Sequence, residues 1–72
     1  MFTSDQLRLL RLSRNMKQEF VAAKMGVTKQ YYSRLENSNA IPQQRMQEIL
    51  TILGYTMASA QQYLQSIPPE VF

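Results

Sequence analysis

Lysine, glutamine and arginine stand together in one short segment, and these are side chains that can hydrogen-bond the edges of base pairs. From Lys29 to Asn37, a helix of about 3.6 residues per turn sets Gln30, Ser33, Arg34 and Asn37 on one arc. Lys29 falls at its N-terminal rim. Tyr32 and Leu35 fall on the opposite arc, with Glu36 beside them. A guanidinium or ammonium group donates to guanine O6 and N7, and an amide pairs with adenine N6 and N7. Other chemistry is poorly supplied. The chain has 72 residues with neither Cys nor His, which removes thiol and Ser-His nucleophiles, zinc fingers, haem attachment and His-based metal hydrolysis. Five acidic residues leave few candidates for acid–base catalysis, and nothing reads as an ATP loop. The expectation is a binding protein, not an enzyme, with no cofactor and no metal.

Charge agrees with a polyanionic partner. Residues 1–45 hold all eight basic side chains (Arg8, Arg11, Arg14, Lys17, Lys24, Lys29, Arg34, Arg45) against three acids, for +5. Residues 46–72 hold only Glu48 and Glu70, for −2. Nucleic acid is the commonest intracellular partner for such a basic half, although many inert small proteins are also basic. No run approaches the ~18 apolar residues of a membrane span. The N-terminus has no basic segment followed by an apolar one. A soluble, cytoplasmic, disulfide-free domain is expected.

The elements that would position the segment are helices, since no useful stretch alternates with period two. The first runs from about Asp5 to Asn15 behind Thr3 or Ser4 as N-cap, with Leu7, Leu10, Arg11 and Arg14 on one face. The second runs from about Gln18 to Met25 and buries Val21, Ala22 and Met25. The third follows Thr28, a good N-cap, and ends near Asn37. The fourth, from Pro42 or Gln43 to Leu53, sets Met46, Ile49, Leu50 and Leu53 on one stripe. The fifth, capped by Thr56, would present Met57, Ala60, Tyr63, Leu64 and Ile67. Gly26 and Gly54 follow apolar-periodic runs, as glycines ending helices do. The fold class expected is all-α with five helices. Residues 1–56 form its core, and residues 57–72 form a C-terminal helix and tail of the same domain.

Two short helices joined by Met25-Gly26-Val27-Thr28 have the shape of a helix-turn-helix. Together with Leu10-Arg11, Met16-Lys17-Gln18, Val21-Ala22, Tyr32, Ser33-Arg34-Leu35-Glu36-Asn37 and Leu53-Gly54, residues 7–56 resemble the Cro/CI (phage-repressor, Xre-type) helix-turn-helix family. The resemblance implies a lambda-repressor-like domain and a role for each matching residue. Lys29, Gln30 and Arg34 would read bases. Gln18 would bond a backbone phosphate and brace the third helix, and Ser33 and Asn37 would contact phosphate. Arg11 and Glu36 correspond to an ion pair between the first and third helices. Tyr31, where the sequence departs from the family, is read from its own size and hydroxyl as able to reach a phosphate or a thymine methyl.

The sequence departs from the family in three places. Lys17 stands where the family has Ser, Thr or Asn as N-cap, Ser38 replaces a glycine after the third helix, and Tyr31-Tyr32 is bulkier than the usual pair. Arg8, Arg14, Lys24 and Arg45 read as solubilising charges, with Arg14 and Arg45 the better phosphate candidates because they flank the motif. Leu9, Leu12 and Phe20 lie opposite the core stripes. They are either scattered surface residues or a patch covered by Tyr63, Leu64, Ile67, Val71 and Phe72 of the same or a second chain. The function expected is sequence-specific binding of double-stranded DNA by a transcriptional regulator, a repressor. It would act as a homodimer through its fourth and fifth helices. The rival is an antitoxin or similar module that neutralises a protein partner, a toxin for instance, through its C-terminal segment.

Overall fold

Five α-helices and no strand make up residues 2–68, which the computed structural model describes: α1 (Ser4–Ser13), α2 (Gln18–Met25), α3 (Lys29–Asn37), α4 (Gln43–Leu53) and α5 (Met57–Gln65). Their starts are chemically marked. The Thr3 hydroxyl accepts from the Gln6 amide at 3.1 Å, while Gln6 Oε1 accepts from the Thr3 N–H at 3.0 Å. This capping box satisfies two groups that would otherwise lack partners. Thr56 and Ser59 build the same device at α5, and Thr28 caps α3 by accepting from the Tyr31 amide at 3.1 Å.

Only chemistry short of a cap opens α2, because Lys17 makes no side-chain cap bond. Lys17→Ser is therefore expected to stabilise the domain by about 1 kcal/mol. In a thermal melt that is a rise of roughly 4–8 °C for a domain of this size. An unchanged melting temperature would show that the α2 amides are already satisfied.

Three helices end in one pattern. After α2, the Gly26 N–H donates to Ala23 and the Val27 N–H to Ala22, with Gly26 at φ 75°, ψ 28°. These are the two bonds of a Schellman motif, which needs a left-handed residue at the turn. Gly54 repeats it after α4, and Asn15 repeats it after α1 at φ 55°. That corrects the expected reach of α1: it stops at Ser13, because Asn15 is the left-handed residue that terminates it. Asparagine tolerates this region better than most residues.

The core fills the space between α2, which packs on α3 and α4, and α1, which packs on α3 and α5. Leu7 and Leu10 of α1, Val21 and Ala22 of α2, and Tyr32 of α3 are buried. So are Met46, Ile49, Leu50 and Leu53 of α4, Ala60 and Leu64 of α5, and Phe2 and Ile41. Each large side chain here contributes about 1.5–3 kcal/mol by burial. The stripe of four along α4 lies against α2, the first helix of the helix-turn-helix.

Several expected faces shift. On α3 the buried partner of Tyr32 is Glu36, at 0 % exposure, while Leu35 is half-buried. Arg14 is exposed and lies over the Tyr55 ring at 4.2 Å from its centroid. Tyr63 is exposed beside Tyr55, with ring centroids 6.1 Å apart, while Ala60 and Leu64 are buried and Met57 and Ile67 pack against the core. Leu12 and Phe20 remain 52 % and 45 % exposed, and Leu9 is half-buried. The Lys24 ammonium lies over the Phe20 ring at 5.5 Å from its centroid. Of the expected cover, Leu64 is buried in the core, Ile67 packs against the core and Tyr63 lies beside Tyr55, while Val71 and Phe72 lie outside the described residues.

Ser38 needs no glycine substitute, since its φ of −86° is ordinary backbone. The loop it opens is tied down by Asn39, whose Oδ1 accepts from the Ser4 N–H at 2.8 Å. No helix among the described residues is long and apolar enough to cross a membrane.

Candidate nucleic-acid interface

A fully buried carboxylate sets the position of α3. Glu36 Oε2 accepts from Arg11 Nε at 2.8 Å and from the Tyr32 hydroxyl at 2.6 Å. Its Oε1 accepts from Arg11 Nη2 at 3.2 Å and from Gln18 Nε2 at 3.0 Å. Arg11 Nη1 then donates to the Met16 carbonyl at 2.8 Å. One side chain of α3 thereby holds α1, the α1–α2 turn and the first residue of α2. Burying a charge is tolerable only with such partners, and no buried side-chain polar atom among the described residues lacks one.

These contacts leave an electrostatic signature. Burial pushes the Glu36 carboxyl upward, but the hydrogen bonds from Arg11, Tyr32 and Gln18 and the Arg11 charge outweigh it, so its pKa lies below the ordinary 4.5. The Tyr32 phenol is raised above its usual 10.0, first by burial and then by the Glu36 carboxylate it donates to. A depressed carboxylate contributes stability that is complete above its unfolded value and is lost as pH falls through its folded value. Stability to urea is therefore expected to drop as pH falls below 4.5, with the Glu36 carboxyl carbon titrating in that window by NMR. A Glu36 resonance that titrates at or above 4.5 would contradict the bonding described.

Away from this anchor, α3 presents an unpartnered face. Lys29, Gln30 and Arg34 are exposed, Ser33 is half-buried, and the four line one shallow depression. Gln30 and Arg34 sit one turn apart. None of the four side chains makes a hydrogen bond or ion pair among the described residues. Asn37 is exposed at the helix end, with its Oδ1 accepting from Arg8 Nη2 at 3.0 Å, which leaves its amide hydrogens free to donate outward. Gln18 is half-buried and spends one amide hydrogen on Glu36. Tyr31 is half-buried on the α4 side, under the Arg45 guanidinium at 5.8 Å from its ring centroid. All seven candidate DNA-contacting residues thus belong to α3 or to the start of α2.

The basic side chains divide sharply among the described residues. Arg8, Arg11 and Arg45 pair with carboxylates, and Arg14 and Lys24 lie over aromatic rings. Lys17, Lys29 and Arg34 have neither kind of partner. The basic side chains without a partner therefore gather where α2 begins and along α3.

Two features escaped the sequence reading. The Tyr32 hydroxyl as a donor to Glu36 had a signal, because the two residues stand four apart on one helix face. The approach of Arg8 and Arg45 to α3 had none, being through space.

A glycine turn between two short helices, an anchored second helix and a polar, basic, unpartnered face on it together define a helix-turn-helix DNA-binding domain. A helix-turn-helix family model matches residues 7–59, and the chain belongs to the Cro/CI-type helix-turn-helix family. Its five-helix, all-α fold is lambda-repressor-like, and membership makes it a DNA-binding regulator of transcription in general terms. No match was found among curated proteins or among solved structures.

Proposed function

We propose that the protein binds double-stranded DNA sequence-specifically by placing α3 in the major groove, and that it represses transcription as a cytoplasmic homodimer. The observation that carries this reading is the free face of α3. Its Lys29, Gln30 and Arg34 are exposed polar side chains without partners among the described residues, on a helix whose opposite face is anchored through Tyr32 and Glu36. In this reading Lys29, Gln30 and Arg34 read base edges. Gln18, Ser33, Asn37 and Tyr31 meet the backbone and fix register. The uncapped start of α2 adds backbone N–H groups suited to a phosphate.

A single helix reads few base pairs, so two copies on a palindromic site double the contacts, with half-sites about one helical turn apart or a multiple of it. The α4–α5 end, where Tyr63 is exposed and Ile52, Tyr55 and Met57 are half-buried, supplies apolar surface for that pairing. Repression follows from occupancy of a promoter-overlapping site.

Selection from random duplexes tests the reading. Winners are expected to share a half-site, repeated as an inverted pair, and to bind less tightly as salt rises. Absence of any shared motif, with no duplex bound even at low salt, would overturn it and favour a module that neutralises a protein partner.

A further inference from the structure

Arg45 lies beside the proposed DNA face, yet the structure keeps its charge engaged. Its guanidinium sits 5.8 Å from the centroid of Tyr31, a residue in the N-terminal half of α3. Arg45 itself is in the first turn of α4, so its side chain crosses from α4 to the flank of the helix that would enter the groove. One turn later on α4, Glu48 Oε1 accepts from Arg45 Nη1 at 2.9 Å. Both side chains are more than one-third exposed, at 37 % and 40 %.

Arg8, at the other rim of α3, offers a contrast. It bonds Asp5 and Asn37 and lies 3.9 Å from the buried Glu36, which makes it part of the anchor. Arg45 has one exposed carboxylate and one ring.

We propose that Arg45 is a phosphate-binding residue held in reserve by Glu48, which competes with the DNA backbone for it and sets how tightly the protein binds any duplex. The inference rests on the reading of α3 as the groove helix. An exposed ion pair three residues apart on a helix is weak, so a phosphate can take the guanidinium from Glu48. The Tyr31 ring lies beneath the guanidinium and limits where it can swing, so the released group stays beside α3. Glu48 lies on the same helix and remains close after release, where its charge repels the phosphate that replaced it. Both effects are independent of base sequence, because phosphate contacts carry no sequence information directly.

The test is a double-mutant cycle on the full chain, with affinities measured by fluorescence anisotropy on a random-sequence duplex across a salt series. Glu48→Gln is expected to tighten binding roughly three- to tenfold at low salt, and Arg45→Ala to make the slope of log affinity against log salt shallower by about 0.9, one phosphate contact. The same tightening is expected on a selected site, so the ratio of specific to random affinity stays constant. In an Arg45→Ala background, Glu48→Gln should change affinity by less than about twofold and leave the slope unaltered. Equal tightening with and without Arg45 would overturn the proposal, since the effect would then be general charge repulsion. An unchanged slope in Arg45→Ala would overturn it also. Wild-type protein that binds no duplex at any salt would instead refute the reading of α3. Both side chains are more than one-third exposed, and circular dichroism melts check that each variant remains folded.

Discussion

Replacing Glu36 by alanine is expected to destabilise the domain by about 3–5 kcal/mol, the usual consequence of stranding one partner of a buried ion pair. The variant loses four hydrogen bonds at once, and Arg11, only 7 % exposed, is left without its counter-charge. A domain of this length holds roughly 4–10 kcal/mol of stability in all, so Glu36→Ala should be partly or wholly unfolded at room temperature. Chemical denaturation measures the loss directly.

The cause is distinguishable from a generic core defect. Arg11→Met with Glu36→Leu removes both charges together, and that double variant should be more stable than Glu36→Leu alone. A double variant no better than the single would show that the damage comes from shape and not from an unpaired charge. DNA binding should follow stability across this series, because Glu36 touches no groove-facing side chain of α3. Its part is to hold α1, Gln18 and α3 in one arrangement.

Arg34→Ala should do the reverse, leaving the fold intact and relaxing sequence preference. Arg34 is exposed and has no partner among the described residues, so its removal should alter stability by less than about 0.5 kcal/mol. If it makes a bidentate contact to guanine, its loss costs about 1–3 kcal/mol of discrimination, or roughly 5- to 150-fold. Competition of a selected site against a duplex with that base pair changed reads this out. Retained discrimination would move the base-reading role to Gln30 and Lys29. Gln18→Ala provides the contrast, weakening binding to every sequence alike. The structure adds a second effect for Gln18. Its amide also donates to the buried Glu36, so the same change lowers stability, and affinities must be compared under conditions where both proteins are folded.

The difference between these two variants restates how the molecule is organised. One face of α3 is committed to the interior through Tyr32 and Glu36, and the other is left without intramolecular partners. A helix pinned on one side can present side chains in a fixed register, which is what reading a groove requires.

The helices themselves were readable from the chain. Threonines at positions 3, 28 and 56, the glycines at 26 and 54, and the spacing of Met46, Ile49, Leu50 and Leu53 are local signals, and capping and periodicity act within a few residues. The polar arc of α3 followed from the same periodicity, and the pairing of Arg11 with Glu36 from the resemblance of the whole motif. Residue type alone could not rank the two halves of the Leu35-Glu36 pair by burial. An apolar residue is expected inside, yet Glu36 goes deepest, because donors from α1 and α2 converge there. The end of α1 was misjudged for a related reason, since Asn15 fits either a helix or the left-handed turn that stops one. Nor could the eight basic residues be sorted by their order in the chain. Whether a charge is free depends on which carboxylates and rings lie within a few ångströms, and packing between helices fixes those distances.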